Sequence, residues 1–325
     1  MLRLVLVLAL TATVARSEGL ADAAAMDRVP AFEAAFDGWL DQVGARTGVL
    51  ALRYNGQPVA TWARGRDADD PVPLASLSKA ITATCIAALV DEGRLAYDSR
   101  AGAVLDLPDA APVTIGDLLS HATGLQKDYT QGPMAFWKDR PDPRWAEITP
   151  RALDPARLTG GRSYYYSNEN YAVLGTVIEA VAGMPYTDAC RARVLDPVGV
   201  SGAPSDRFAA YMPWGGWQMT MGDYARFVDH AFGPGGVLTD RLATLPEVVI
   251  DGPVRYGMGM IQRDMGDGRN VWHFGALCFL DGPNLGSYAV HWRSGWTLTA
   301  WYDACITGQE MADLDRTMVQ IAYAP

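Results

Sequence analysis

Apolar residues recur along this chain with two periods, and the change of period divides it. Between residues 29 and 43, Phe32, Phe36 and Leu40 fall at i, i+4 and i+8, which predicts a helix with one buried face. Two strand-like stretches follow, Gly48 to Tyr54 and Val59 to Gly65. Asn55-Gly56 between them suits the positive φ angles of a tight hairpin turn. A polar stretch, Asp67 to Pro73, leads into a helix predicted over 76–92. There Ala80, Ile81, Ala83, Cys85, Ile86, Ala88, Leu89 and Val90 leave almost no solvent-facing side, and Gly93 provides the stop. A helix that is apolar on every face is buried on every face.

Residues 96–160 read as loops and short helices with many prolines. Asn170 to Val181 is helical, with Tyr171, Leu174, Ile178 and Val181 on one face and Gly183 as its stop, and Met221 to Ala231 predicts a third helix. Then the period shortens. Asp267-Gly268 marks a turn and Val271 to Gly275 a strand. Leu285 to Trp292 and Trp296 to Tyr302 form a hairpin around Arg293-Ser294-Gly295, and a last helix runs from Gln309 to Ala322. The fold class is therefore α/β in the α+β sense. One mostly antiparallel sheet is built from N- and C-terminal strands (about 29–75 and 255–325) and flanked by helices. A central, mainly helical lobe spans about 76–254, and the cleft between the lobes is the default site.

The chain has 325 residues, 49% hydrophobic and 20% charged, which is ordinary globular composition. The net charge is −10 and there are only three lysines, Lys79, Lys127 and Lys138. An acidic surface without a basic stripe argues against nucleic-acid partners and against anionic membranes. Residues 1–17 read as an export signal. Arg3 precedes the short apolar run Leu4 to Ala15, whose end, Thr13-Val14-Ala15, offers small residues at the cleavage positions, with Ala15-Arg16-Ser17 as a second possibility. The plain alternative, an uncleaved membrane anchor, is disfavoured by the shortness of the run. The remainder, 18–325, is expected to be one periplasmic or secreted domain with no stable membrane insertion, because no later stretch approaches the ~20 apolar residues of a spanning helix. Of the four cysteines, Cys278 and Cys305 lie in the strand-rich C-terminal part as a candidate pair, whereas Cys85 reads as a small buried hydrophobe.

Several chemistries lack their signatures. There is no G-x-S-x-G, H-E-x-x-H or P-loop, and His121, His230, His273 and His291 share no ligand spacing, so neither a metal nor another cofactor is expected. Ser76-Leu77-Ser78-Lys79 is present. With eleven serines and three lysines, about 0.1 Ser-x-x-Lys matches are expected by chance. Positions i and i+3 share a helix face, and burial disfavours the ammonium of Lys79, leaving a base beside the Ser76 hydroxyl. The plain alternative is a helix-capping serine followed by a snorkelling lysine. Tyr166 and Asn168 stand two apart before the helix from Asn170, and His273 and Gly275 point to one face of a predicted strand.

In this order, Ser76-x-x-Lys79, Tyr166-x-Asn168 and His273-x-Gly275 resemble the serine β-lactamase and penicillin-binding-protein superfamily. The likeness is to the branch of class C β-lactamases, D,D-carboxypeptidases, D-aminopeptidases and related esterases. Leu118-Leu119-Ser120-His121-Ala122-Thr123-Gly124-Leu125, Asp223-Tyr224-Ala225-Arg226-Phe227 and Tyr256-Gly257-Met258-Gly259 are similar to further segments of that family. The resemblance implies a β-lactamase/transpeptidase-like fold and an acyl-serine intermediate. It implies Ser76 as nucleophile, Lys79 as its base or relay, Tyr166 as proton exchanger, and Asn168 as orienter of Lys79 and the substrate amide. It implies an oxyanion hole from the N–H groups of Ser76 and Ala276, a substrate-facing His273 and Gly275, and a structural His121.

One position departs from the β-lactamase pattern, which usually has lysine where His273 stands. A histidine largely neutral at pH 7 recognises a carboxylate more weakly. The expected activity is therefore that of a peptidase, amidase or esterase on small or D-amino-acid substrates, ahead of a class C-like β-lactamase. A non-catalytic penicillin-binding-like sensor is a third reading, to which the intact Ser76, Lys79, Tyr166 and Asn168 are unnecessary. The aromatic segments around Phe136, Trp137 and Trp145 and at Tyr211 to Trp217 suit either an apolar rim or ordinary loop packing.

Overall fold

The computed structural model describes residues 23–266 and 268–324. The predicted leader, 1–17, lies outside them, as does Asp267 of the predicted Asp267-Gly268 turn. The first strands are β1 (Gly48–Tyr54) and β2 (Gln57–Arg64). Asn55 and Gly56 join them with φ values of 48° and 81°, the two positive angles that an Asn-Gly turn supplies at low cost. Three short strands, β3 (Val72–Pro73), β4 (Ala203–Pro204) and β5 (Trp217–Met219), form a small separate sheet. The C-terminal strands are β6 (Glu247–Asp251), β7 (Val254–Gly257), β8 (Met260–Asp264), β9 (Arg269–Cys278), β10 (Asn284–His291) and β11 (Trp296–Tyr302).

Eight of these strands make one antiparallel sheet in the order β2-β1-β11-β10-β9-β8-β7-β6, as expected from strands at both ends of the chain. The predicted boundary at 254 falls inside the sheet, because β6 begins at Glu247. Its apolar run, Val248 to Ile250, is too short for period alone to distinguish strand from helix.

Burial explains how the sheet is covered. The Val29–Gln42 and Gly308–Ala322 helices pack Phe32, Phe36, Leu40, Leu314 and Met318 against Leu50, Leu52 and Leu298 on one face. On the other face Val49 and Ala51 join the core of the helical region. The Met221–Phe232 helix packs on β1 and β11 there, so part of the segment predicted as a separate lobe covers the sheet.

The predicted all-buried helix is Ser78–Asp91, entered through a 3₁₀ turn at Ala75–Leu77. It is buried from Ser78 through Ala87 and at Leu89, and Gly93 follows with φ 70°. The expectation for Cys85 is corrected: it is bonded to Cys190, with Cα atoms 5.2 Å apart. Both cysteines lie in helices 105 residues apart, so no local pattern joins them. Cys278 and Cys305 form the second disulfide, Cα to Cα 5.9 Å.

Register positions the site. β9 pairs with β10 from Val271 to Cys278, but with β8 only from Arg269 to Trp272. Among the described residues, therefore, the stretch from His273 to Cys278 has a strand on one side only. The 3₁₀ turn with Ser76 packs beside this stretch.

Candidate active site

Backbone anchors hold Ser76 from both sides. Leu74 donates its N–H to Trp217 O (2.8 Å) and accepts at its carbonyl from Ser287 Oγ (2.7 Å). Tyr224 Oη donates to Leu77 O at 2.8 Å. Ala75, between the anchors, has φ 49°, in the region that disfavours any residue with a Cβ. The turn approaches β9 so closely that a Cβ on Gly275 would lie 2.8 Å from Leu74 O and 2.9 Å from the Ala75 Cβ, and would also strike Ser287 Oγ. Gly275 is thus required by close approach rather than by its own dihedral.

Lys79, one turn on, is fully buried. Its Nζ lies 3.2 Å from Ser76 Oγ, 2.8 Å from Asn168 Oδ1 and 2.9 Å from the Trp214 carbonyl. Three acceptors match the three protons of an ammonium. Burial nevertheless disfavours the charge, and Asp128 opposes that only partly, so the amine is pulled down to about 7. Near neutral pH it is shared between an ammonium and a free base next to the Ser76 hydroxyl.

Asn168 opens the Asn168–Ala182 helix. Its amide orientation follows from its neighbours. The Asp128 carboxylate accepts from Thr130 Oγ1 (2.7 Å) and from the Asn168 backbone N–H (2.9 Å). The committed Thr130 oxygen accepts from Asn168 Nδ2 at 3.1 Å, which leaves Oδ1 to face Lys79.

Tyr166 is hydrogen-bonded to Ser76 through its hydroxyl, and burial raises the phenol far above its ordinary value. It is a neutral phenol that can pass a proton on, not a resident phenolate base. His273 shares a hydrogen bond of 2.6 Å between Nδ1 and the Phe274 carbonyl, so Nδ1 carries the proton and Nε2 accepts from Tyr256 Oη at 3.3 Å. Burial, with repulsion from Lys79, lowers its pKa to about 3. The expectation that His273 is largely neutral at pH 7 thus extends well into acid.

His121 lies beneath these groups, with its ring 4.6 Å from those of Tyr166 and Tyr256 and 5.2 Å from that of Tyr171. Asn170 Nδ2 donates to its Nδ1 at 2.9 Å, and its buried Nε2 finds no hydrogen-bond partner among the described residues. Its place is to pack the site from below.

Ser76, Tyr166, Asn168, His273 and Ala276 line one cavity of about 350 Å³. All seven residues singled out in the sequence, with Lys79 and Gly275 directly behind the wall, converge here. Trp137 and Trp145 do not line it; Trp145 is buried and donates Nε1 to Glu179 at 2.9 Å. Sequence reading missed the Trp214 carbonyl, which has no side-chain signature, and the Asp128–Thr130 brace. Asp-x-Thr before the Gln131–Trp137 helix is an Asx-type turn signal that points to a fixed loop. Among the described residues no group of three His, Cys, Asp or Glu side chains converges to hold a metal ion.

The family description "Beta-lactamase" matches residues 32–294. Penicillin-binding protein 4 of Amycolatopsis lactamdurans is 33% identical over 132 residues, 38% of this chain and 33% of that protein. The D-aminopeptidase of Brucella anthropi is 25% identical over 270 residues, 71% of this chain and 51% of its own length. The chain thus spans a third to a half of the length of these relatives. The crystal structure of D-amino acid amidase from Ochrobactrum anthropi SV3 superposes with a TM-score of 0.72 at 19% identity, covering 90% of this chain and 100% of that one. This likeness shows a shared fold.

Proposed function

Because the chain belongs to the β-lactamase family, we propose that it is an exported serine hydrolase that cleaves small peptides, amides or esters, D-amino-acid derivatives among them, through an acyl-serine intermediate. The observation that carries this reading is the buried Lys79 amine, lowered to about 7 and 3.2 Å from Ser76 Oγ. A capping serine with a snorkelling lysine needs neither that burial nor that contact. Export is supported by the leader reading of residues 1–17 and by two disulfides, which persist in oxidising compartments.

In the proposed cycle the free Lys79 amine takes the Ser76 proton as Oγ adds to the substrate carbonyl carbon. The resulting oxyanion is held by the backbone N–H groups of Ser76 and Ala276. Tyr166 protonates the departing nitrogen or oxygen and regains a proton from the Lys79 ammonium. The carbonyl–leaving-group bond breaks and the acyl group remains on Ser76. Water then adds to the acyl carbon, losing its proton along the same route in reverse, and Ser76 leaves as the hydroxyl. Asn168 keeps Lys79 aimed at Ser76. The neutral His273 offers no fixed cation for a substrate carboxylate, which supports a peptidase, amidase or esterase ahead of a β-lactamase.

Intact mass after treatment with a fluorophosphonate probe tests this. One adduct per chain is expected, and none on Ser76→Ala. A folded wild-type protein that takes no adduct overturns the reading in favour of a non-catalytic binder.

A further inference from the structure

We propose that the cavity beside Ser76 selects acyl donors that carry no charge, small esters and amides with an apolar acyl part, over donors bearing a carboxylate or an ammonium near the reacting carbonyl; among D-amino-acid derivatives it favours those whose α-amine is blocked. This rests on the serine-hydrolase reading above and names the substrate class of that same site.

The wall carries the argument. Met134, Trp214, Ile261, Phe274, Leu277 and Met311 give it its apolar surface. They come from the Gln131–Trp137 helix, the segment before β5, strands β8 and β9, and the C-terminal helix. The remaining lining side chains are hydroxyls, amides, a neutral imidazole and small residues. Among the described residues none that lines the cavity is an Asp, Glu, Lys or Arg. Behind the wall, Lys79 is taken up by three acceptors, and ions on neighbouring segments are paired or hydrogen-bonded. Asp128 accepts from Thr130, from the Asn168 N–H and from Gln131 Nε2 (3.3 Å). Lys138 pairs with Asp281 at 2.8 Å, and Arg207 with Asp139 at 2.6 Å.

A charged substituent entering such a cavity loses hydration and finds no counter-ion among the lining side chains. It also perturbs the base. A carboxylate close to Lys79 favours the ammonium and removes the free amine that Ser76 needs. An ammonium faces Lys79 with no carboxylate to hold it. An apolar group meets neither cost. Each methylene that reaches the wall is worth about 0.8 kcal/mol, or about fourfold in kcat/KM, until the cavity is full.

The open side of β9 lets the apolar surface continue past the serine. Phe274 points to the sheet face opposite the Ser76 turn, where its ring stacks on Tyr288 at 4.3 Å, yet it lines the same cavity. That continuity is possible because β8 leaves β9 after Trp272.

The test uses one acyl scaffold in three charge states: 4-nitrophenyl phenylacetate and its ring analogues with a para carboxylate or a para aminomethyl group. The wild-type protein is assayed at pH 8, with Ser76→Ala as background. We expect kcat/KM for the neutral ester to exceed both charged esters by at least tenfold. We expect Ile261→Arg, at the half-exposed edge of the cavity, to narrow the gap for the carboxylate ester alone. Comparable or faster turnover of either charged ester by wild type, with Ser76 labelled by the fluorophosphonate, overturns the inference and leaves the hydrolase reading intact. Absence of both label and Ser76-dependent turnover overturns the hydrolase reading, and this inference with it.

Discussion

The side-chain oxygen of Asn168 lies 2.8 Å from Lys79 Nζ, and the rest of that amide is held by Thr130 and, through the backbone N–H, by Asp128. In the proposed cycle Asn168 therefore fixes the base without being able to titrate itself. Replacing it with Ala removes one of three acceptors around the amine and frees the Lys79 stem. We expect kcat/KM to fall about 10²-fold, within the range that positioned acid–base groups supply. Asn168→Asp keeps the shape and adds a negative charge. It stabilises the ammonium, so the acidic limb of the pH–kcat/KM profile should move to higher pH by about one unit or more. A loss of rate with an unmoved profile would show that Asn168 acts on the substrate and not through Lys79.

Lys79 itself predicts the shape of that profile. With the amine at about 7, kcat/KM should rise tenfold per pH unit below neutrality and level off above it. Stability should follow a related course. The folded pKa lies below the unfolded value of 10.5, so between about 7 and 10.5 the unfolded chain holds the extra proton. Stability then rises with pH across that window, by up to about 1.4 kcal/mol per unit from this group, and the gain fades below 7 where both states are protonated. Comparing denaturant midpoints of wild type and Lys79→Met at pH 6, 7, 8 and 9 isolates the contribution. The wild type should gain on the variant as pH rises, and parallel curves would place Lys79 in a solvated environment.

The side chains proposed to carry the chemistry, set at helix or strand spacing, were legible before the fold, and the structure brings them to one cavity. Ser76 and Lys79 stand one turn apart on a helix whose apolar residues announce burial, and burial is what tunes the amine. Tyr166 and Asn168 announce a helix entry, and His273 and Gly275 alternate on a strand. What escaped is what spacing does not encode. The Trp214 carbonyl belongs to the backbone and has no signature. Thr130 matters only because Asp128 commits its hydroxyl. Cys85 was indistinguishable from its apolar helix neighbours, and its partner lies in another helix. The eight-stranded order was legible only in outline, because β6 to β8 are short strands whose apolar residues fit either period.

On the proposed reading, His273 separates this site from one built for carboxylates, and a single substitution tests how much that matters. The imidazole is neutral above about 3, held by the Phe274 carbonyl and Tyr256. His273→Lys would place an ammonium at the cavity wall close to Lys79. Two consequences should appear together. Acylation by a carboxylate-bearing β-lactam, followed by intact mass, should accelerate at least tenfold, because the new cation attracts the anion. The acidic limb for neutral esters should move to lower pH, because a second positive charge disfavours the Lys79 ammonium. A shifted limb without faster β-lactam acylation would mean that the charge is in place and that the shape of the cavity excludes the bicyclic ring. An unshifted limb would mean that the new lysine turns away from the site, and His273→Arg, with its permanent charge and longer reach, is then the variant to compare.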